Sequence, residues 1–250
     1  MDARNFPAAY PEIKRHILES TVYKSRQNKG EGDTGMEQQP IHKNEVFLTG
    51  VVLEAPEYSH CNHEERFFTF PLEIMRLSGQ TDVLVVVLNE RLSEQPGFSC
   101  GARIHVEGQL RSYNNKSGKG SRLVLTVFAR TLSLSEEEDH NEILLCGVLC
   151  KPPVLRSTPL GRSICDLMLA VNRPYGRSDY IPCIAWGALA GETGLLSIGD
   201  PLSFEGRIQS RTYHKMTAQG VECRVAYEVS VMCLREIEMQ SCIFSPAGRS

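Results

Sequence analysis

The chain has 250 residues, enough for one large domain or two of ordinary size, with 41% hydrophobic and 23% charged residues, a globular mix. Its net charge of −3 excludes a nucleic-acid binder that works by bulk positive charge. The longest apolar runs, such as Val83 to Leu88, fall far short of the roughly twenty residues of a membrane span, and no apolar segment follows the N-terminus as a secretory signal requires; a cytoplasmic protein with no membrane partner is expected.

Residues 1–40 read differently from the rest. Ala8 to Ser25 fits one short helix, and Gln27 to Pro40 is polar and glycine-rich, with Met36 as its one apolar residue. A segment of this kind buries too little surface to fold, so a flexible tail is expected.

From residue 44 the pattern turns to short strands separated by turn signals. A strand ends in Leu48-Thr-Gly-Val51, a second alternates over 67–76, and a third is apolar over 83–88. A small helix or turn follows at Asn89 to Glu94, then a strand ending in Glu107-Gly108, and a hairpin leading to a last strand at 122–134. The acidic run at Glu136 to Asp139, within residues 135–140, reads as a solvated linker.

Beyond it the series returns. Asn44-Glu-Val-Phe-Leu-Thr-Gly50 matches Asn141-Glu-Ile-Leu-Leu-Cys-Gly147, and Phe67 to Leu72 falls on Ile164 to Leu169, both at an offset of 97. Gly101 to Leu110 falls on Gly199 to Ile208 at 98, and Arg122 to Val127 on Arg224 to Val229 at 102. Offsets this steady mean one fold used twice, with four residues inserted in the last hairpin of the second copy. The second copy therefore carries strands at 163–172, 180–186 and 224–238, and a helix or turn at Gly187 to Gly191. Five strands with a short helix after the third are what an OB-fold barrel needs. The expected fold class is all-β: two tandem five-stranded OB-fold barrels at 41–134 and 141–239, a flexible N-terminal tail and a short C-terminal tail at 240–250. Val225, Tyr227, Val229 and Val231 are expected to point inward along the last strand.

Each copy carries 10 basic and 10 acidic residues, so any binding surface must come from local clustering. The nine cysteines are odd in number and form no CxxC pair. Cys146, Cys165, Cys183 and Cys233 lie in apolar strand-like runs and are expected to be small buried side chains. His60-Cys-Asn-His63 offers metal-ligand types but no obvious fourth ligand, and an exposed loop is the better reading. No P-loop, HExxH or GxSxG motif occurs, so neither an enzyme nor a cofactor is expected.

The second copy resembles the bacterial single-stranded DNA-binding (SSB) family over Asn141 to about Glu238. The resemblance is carried by Asn141 to Gly147, Leu167 to Val171, Tyr180-Ile-Pro-Cys-Ile-Ala-Trp186-Gly187, Phe204-Glu-Gly206 and Arg211-Thr-Tyr213. The first copy resembles the family more weakly, through Asn44 to Gly50, Leu88 and Leu92, and Val106 to Ser112. The resemblance implies base stacking at four points, which map onto Tyr175, Tyr180, Trp186 and Tyr213. A stacking platform accepts any base, because every base has a π face. Arg156, Arg162, Arg173, Arg177, Arg211 and Lys215 lie near these rings and would track phosphates. Each ring taken alone reads equally as a core aromatic; four together at family positions favour the platform. In the first copy the same points hold Ser78, Val83, Asn89 and Asn115, so the platform is gone and a structural or oligomerisation role is expected. Tyr113 remains on the strand face of Asn115, and the nearby loop from Lys116 through Lys119 to Arg122 reads equally as a minor DNA contact or as an ordinary solvated hairpin.

The implied activity is sequence-nonspecific binding of single-stranded DNA in replication, recombination or repair, in a cytoplasmic, nucleoid-associated protein. The competing reading is a structural or partner-binding OB-fold accessory, or an RNA binder, with weak DNA affinity. Family members usually present four OB domains per particle, so a homodimer is expected. Many also end in a long acidic tail that recruits replication enzymes; the terminal Ile243 to Ser250 is neither long nor acidic, and such recruitment is not expected. Lys29-Gly-Glu-Gly-Asp33 has purine-rich codons like a read-through ribosome-binding site, which sets translation from Met36 against a real basic arm that adds phosphate contacts.

Overall fold

The computed structural model describes residues 37–40, 42–115, 123–173, 176–217, 220–237 and 239–242. The Ala8 to Ser25 helix, Met36, Lys116, Lys119 and Tyr175 lie outside the described residues. The first barrel comprises β2 (Lys43–Val52), β3 (Glu57–Asn62), β4 (Glu65–Met75), β5 (Thr81–Asn89), α1 (Glu90–Ser93), β6 (Arg103–Asn114) and β7 (Leu123–Leu134). The second comprises β8 (His140–Leu149), β9 (Val154–Ser157), β10 (Ser163–Asn172), β11 (Ser178–Trp186), α2 (Ala188–Thr193), β12 (Pro201–Thr217) and β13 (Gly220–Leu234). β1 (Glu37–Pro40) pairs antiparallel with β14 (Met239–Cys242), so a strand begins within the stretch expected to be a flexible tail.

Each barrel keeps the five expected strands and adds a short one, β3 or β9, on the free edge of β4 or β10. Alternation builds the two cores: Phe70, Leu72 and Ile74 of β4 face Leu84, Val86 and Leu88 of β5, and Leu167, Leu169 and Val171 of β10 face Ile181, Cys183 and Ala185 of β11. The barrels close where β5 meets β7, and β11 meets β13, in parallel. The Leu-x-Gly-Val motif marks a crowded crossing, since a Cβ on Gly147 would sit 2.5 Å from the carbonyl oxygen of Ala170. Glu-Gly does not end a strand: β12 runs on through a bulge at Glu205/Gly206, where a Cβ on Gly206 would sit 2.5 Å from the Ser230 carbonyl oxygen. The inserted residues lengthen the last hairpin, whose strands span 17 and 15 residues against 12 and 12 in the first barrel.

Val225 departs from the inward expectation: it is exposed, on the overhang beyond the barrel wall. Tyr227 packs against the core, partly buried, and its hydroxyl reaches across to donate to the Val83 carbonyl of the first barrel at 3.0 Å. Cys233 is exposed, while Cys146, Cys165 and Cys183 are buried as expected.

β2 and β8 pair antiparallel over Lys43 to Thr49, joining both barrels into one twelve-stranded sheet. Val46 pairs with Ile143, its own counterpart in the repeat, so a pseudo-two-fold axis passes between them. Asn44 and Asn141 each bracket the facing strand of their own barrel, donating to and accepting from the backbones of Leu110 and Ile208 at 2.7–2.9 Å. The acidic linker is docked rather than free: Asp139 pairs with Arg103 and accepts the Met75 N–H at 2.5 Å.

Candidate nucleic-acid interface

In β11 the inward positions are Ile181, Cys183 and Ala185, which leaves Tyr180 and Trp186 on the outward face, six residues or about 20 Å apart along the strand. Tyr180 is 50% exposed and Trp186 39%. Trp186 sits at the strand's end because Gly187 follows with φ 58°, a turn into α2 that a side chain would resist. Tyr213 lies on the overhang of β12, half-buried, with the Arg211 guanidinium 5.9 Å from its ring centroid. Three of the four expected rings thus stand on the surface of one barrel.

Among the described residues, the cations around them divide into paired and unpaired groups. Arg173 does not face solvent phosphates. Its guanidinium grips the buried Asp179 and donates to the Ser112 carbonyl of the first barrel at 3.3 Å. Arg111 of the first barrel also pairs with Asp179, at 3.1 Å, and the Ser112 N–H donates to the same carboxylate at 2.6 Å. The repeat mirrors this latch: Arg76 pairs with Asp82, which accepts the N–H and hydroxyl of Ser210 at 2.7 and 2.9 Å. Arg173 is therefore a domain-joining residue. The basic spacing alone gave no sign of it, but the matching Arg76/Asp82 and Arg173/Asp179 pairs are visible in the repeat.

Arg156 lies opposite Ile164, which lies opposite Trp186, so Arg156 and Trp186 share one face. Arg156 is held by Asp166 through two bonds of 2.5 and 3.0 Å, and this hydrogen bonding raises its pKa above the ordinary arginine value. Arg211 pairs with Glu228 at 3.3 Å. Arg162 and Arg177 are exposed, and no side-chain ion pair holds either among the described residues. Lys215 lies in β12 opposite Glu222, near the tip of the hairpin. The face thus presents aromatic rings beside the paired Arg156 and Arg211 and the exposed Arg162 and Arg177, an arrangement that offers stacking together with a small number of phosphate contacts.

At the equivalent points of the first barrel, one of the ring-less residues has a side-chain role of its own. Asn89 is committed to capping α1, its side-chain oxygen accepting from the Leu92 N–H at 3.1 Å and its amide donating to Glu65 at 2.8 Å. Val83 carries the carbonyl that receives Tyr227. Tyr113, 53% exposed, follows Ser112, whose hydroxyl accepts the Tyr180 N–H at 2.8 Å, so Tyr113 lies at the junction with the second barrel's ring face.

Residues 140–239 match the model of the Single-strand binding protein family. Single-stranded DNA-binding protein B of Bacillus subtilis is 36% identical over 80 residues, 29% of this chain and 71% of that protein. Single-stranded DNA-binding protein 3 of Listeria innocua is also 36% identical over 80 residues, 50% of its length, and the chain spans about half the length of most curated relatives it matches. Among solved structures, a deletion mutant of the single-stranded DNA binding protein from Thermus aquaticus superposes with a TM-score of 0.63 at 25% identity, over 83% of this chain and 98% of that one.

Proposed function

The chain belongs to the single-strand binding protein family, and on that premise we propose that it binds single-stranded DNA without sequence preference, in replication, recombination or repair. The observation that carries this reading is the outward placement of Tyr180 and Trp186 on one face of β11, with Tyr213 on the adjoining hairpin. Bases stack on these rings, while Arg156, Arg173 and Arg211 are already paired and Arg162 and Arg177 are left to meet phosphates. The protein acts as a binder, not a catalyst, in the cytoplasm and on the nucleoid.

Trp186 is the single tryptophan of the chain and therefore its own reporter. Oligo-dT is expected to quench its fluorescence, whereas duplex DNA of the same length is not. Trp186→Ala and Tyr213→Ala, followed by gel shift, are each expected to weaken binding by about 1–3 kcal/mol. Absence of quenching by oligo-dT would reject the reading, and quenching by oligo-rU alone would redirect it to RNA.

We further propose that two chains associate, presenting four barrels. Light scattering is expected to give twice the 27.9 kDa chain mass at micromolar concentration. A mass of one chain rules this out.

A further inference from the structure

The first barrel lacks rings at the points equivalent to Tyr180, Trp186 and Tyr213, yet its outer face is not bare. The row Arg156–Ile164–Trp186 crosses β9, β10 and β11 on one face of the second barrel. The matching row of the first barrel is His60–Phe67–Asn89, crossing β3, β4 and β5. Asn89 replaces the tryptophan, and the aromatic surface of the row has moved to the other two strands.

The His60 imidazole lies on the Phe67 ring with centroids 5.0 Å apart and an interplanar angle of 14°. Phe67 is buried and also meets Phe128, centroid to centroid at 5.9 Å. His60 is exposed, so the outermost π face of the row is its imidazole. A bulge puts it there. Tyr58 pairs with Phe68 and His60 with Phe67, so these two side chains leave opposite faces of the hairpin although only two residues apart. On the reverse face Tyr58 meets Phe68 edge-on at 6.0 Å, with the Arg66 guanidinium 5.7 and 5.4 Å from the two rings and held by Glu90 at 2.6 Å. Those contacts stiffen the hairpin and occupy Arg66. What the hairpin offers outward is a ring.

We propose that His60, seated on Phe67, is a base-stacking site of the first barrel, taking a nucleobase from a strand already held by the second barrel. The proposal rests on the single-stranded DNA reading above. Histidine is among the side chains on which unpaired bases stack. Phe67 orients the imidazole before a strand arrives, so little freedom is lost on binding. Among the described residues the contacts of His60 are Ser59 and Phe67, neither of them a cation, so the stacking contribution is expected to leave the salt dependence of binding unchanged.

The test uses the full chain as wild type, His60→Ala and His60→Tyr, with Trp186 quenching as the readout. Two oligo-dT lengths are compared, about 10 nucleotides, within reach of one OB domain, and about 35, enough for two. His60→Ala is expected to bind the long oligonucleotide about tenfold more weakly, the worth of one stacked base, with the short one and the salt slope unchanged. His60→Tyr is expected to keep the wild-type affinity. Normal quenching with equal affinity of wild type and His60→Ala for the long strand overturns this site and leaves the second barrel's role intact. An equal loss on both lengths marks damage to the fold and also overturns it. No quenching of wild type by either length rejects the single-stranded DNA reading and this site together.

Discussion

Asp82 and Asp179 show how a single residue type does structural work at the joint between the barrels. Burial pushes the Asp82 carboxyl up, but the hydrogen bond from Arg76, those from the Ser210 N–H and hydroxyl, and the Arg76 charge outweigh it, and its pKa falls below the ordinary carboxylate value. A carboxylate with a lowered folded-state pKa stabilises the fold fully above its unfolded value. That contribution is lost as pH falls through the folded-state value. Asp82→Asn is therefore expected to cost stability near neutrality, while its unfolding midpoint and that of wild type converge in acid; urea titrations across pH check this. Asp82→Ala, which strands Arg76 at the joint, is expected to cost roughly 3 kcal/mol. The aromatic residues were legible in the sequence because family spacing and outward alternation agree on Tyr180, Trp186 and Tyr213. The arginines were not. Proximity along the chain says nothing about whether Asp166, Asp179 or Glu228 already holds the guanidinium, and that depends on cross-strand register.

At the scale of the element, alternation and turn signals located the main strands, and the repeat fixed their correspondence. They missed β3 and β9, because a four- to six-residue strand with every side chain exposed has no hydrophobic period to read. His60 and Cys61 were expected in a loop for that reason, and lie in β3. Glu-Gly was read as a strand end because glycine usually punctuates; here Gly206 lets β12 continue past β13 at close range. Gly206→Ala forces backbone apart at the bulge and is expected to destabilise the chain by about 1–3 kcal/mol, seen as a lower denaturant midpoint. The insertion inferred from offsets of 98 and 102 lies beyond Tyr213, whose counterpart is Asn115, and lengthens the β12–β13 hairpin at its tip.

At the scale of the whole molecule, the two barrels act as one body held by the β2–β8 ladder and the paired latches at Asp82 and Asp179. Separating them uncovers both edges of that ladder. The second barrel alone, from residue 135 onward, is expected to self-associate through β8, and light scattering of the fragment checks it. The self-paired register of Val46 and Ile143 has a further consequence. In an assembly of identical subunits a mutation is written into every copy at once, and dilution pulls the copies apart. Here the same contact is made within one polypeptide, so it persists at any concentration. Its halves are also free to differ: the position that holds a helix-capping Asn89 in one holds an exposed tryptophan in the other.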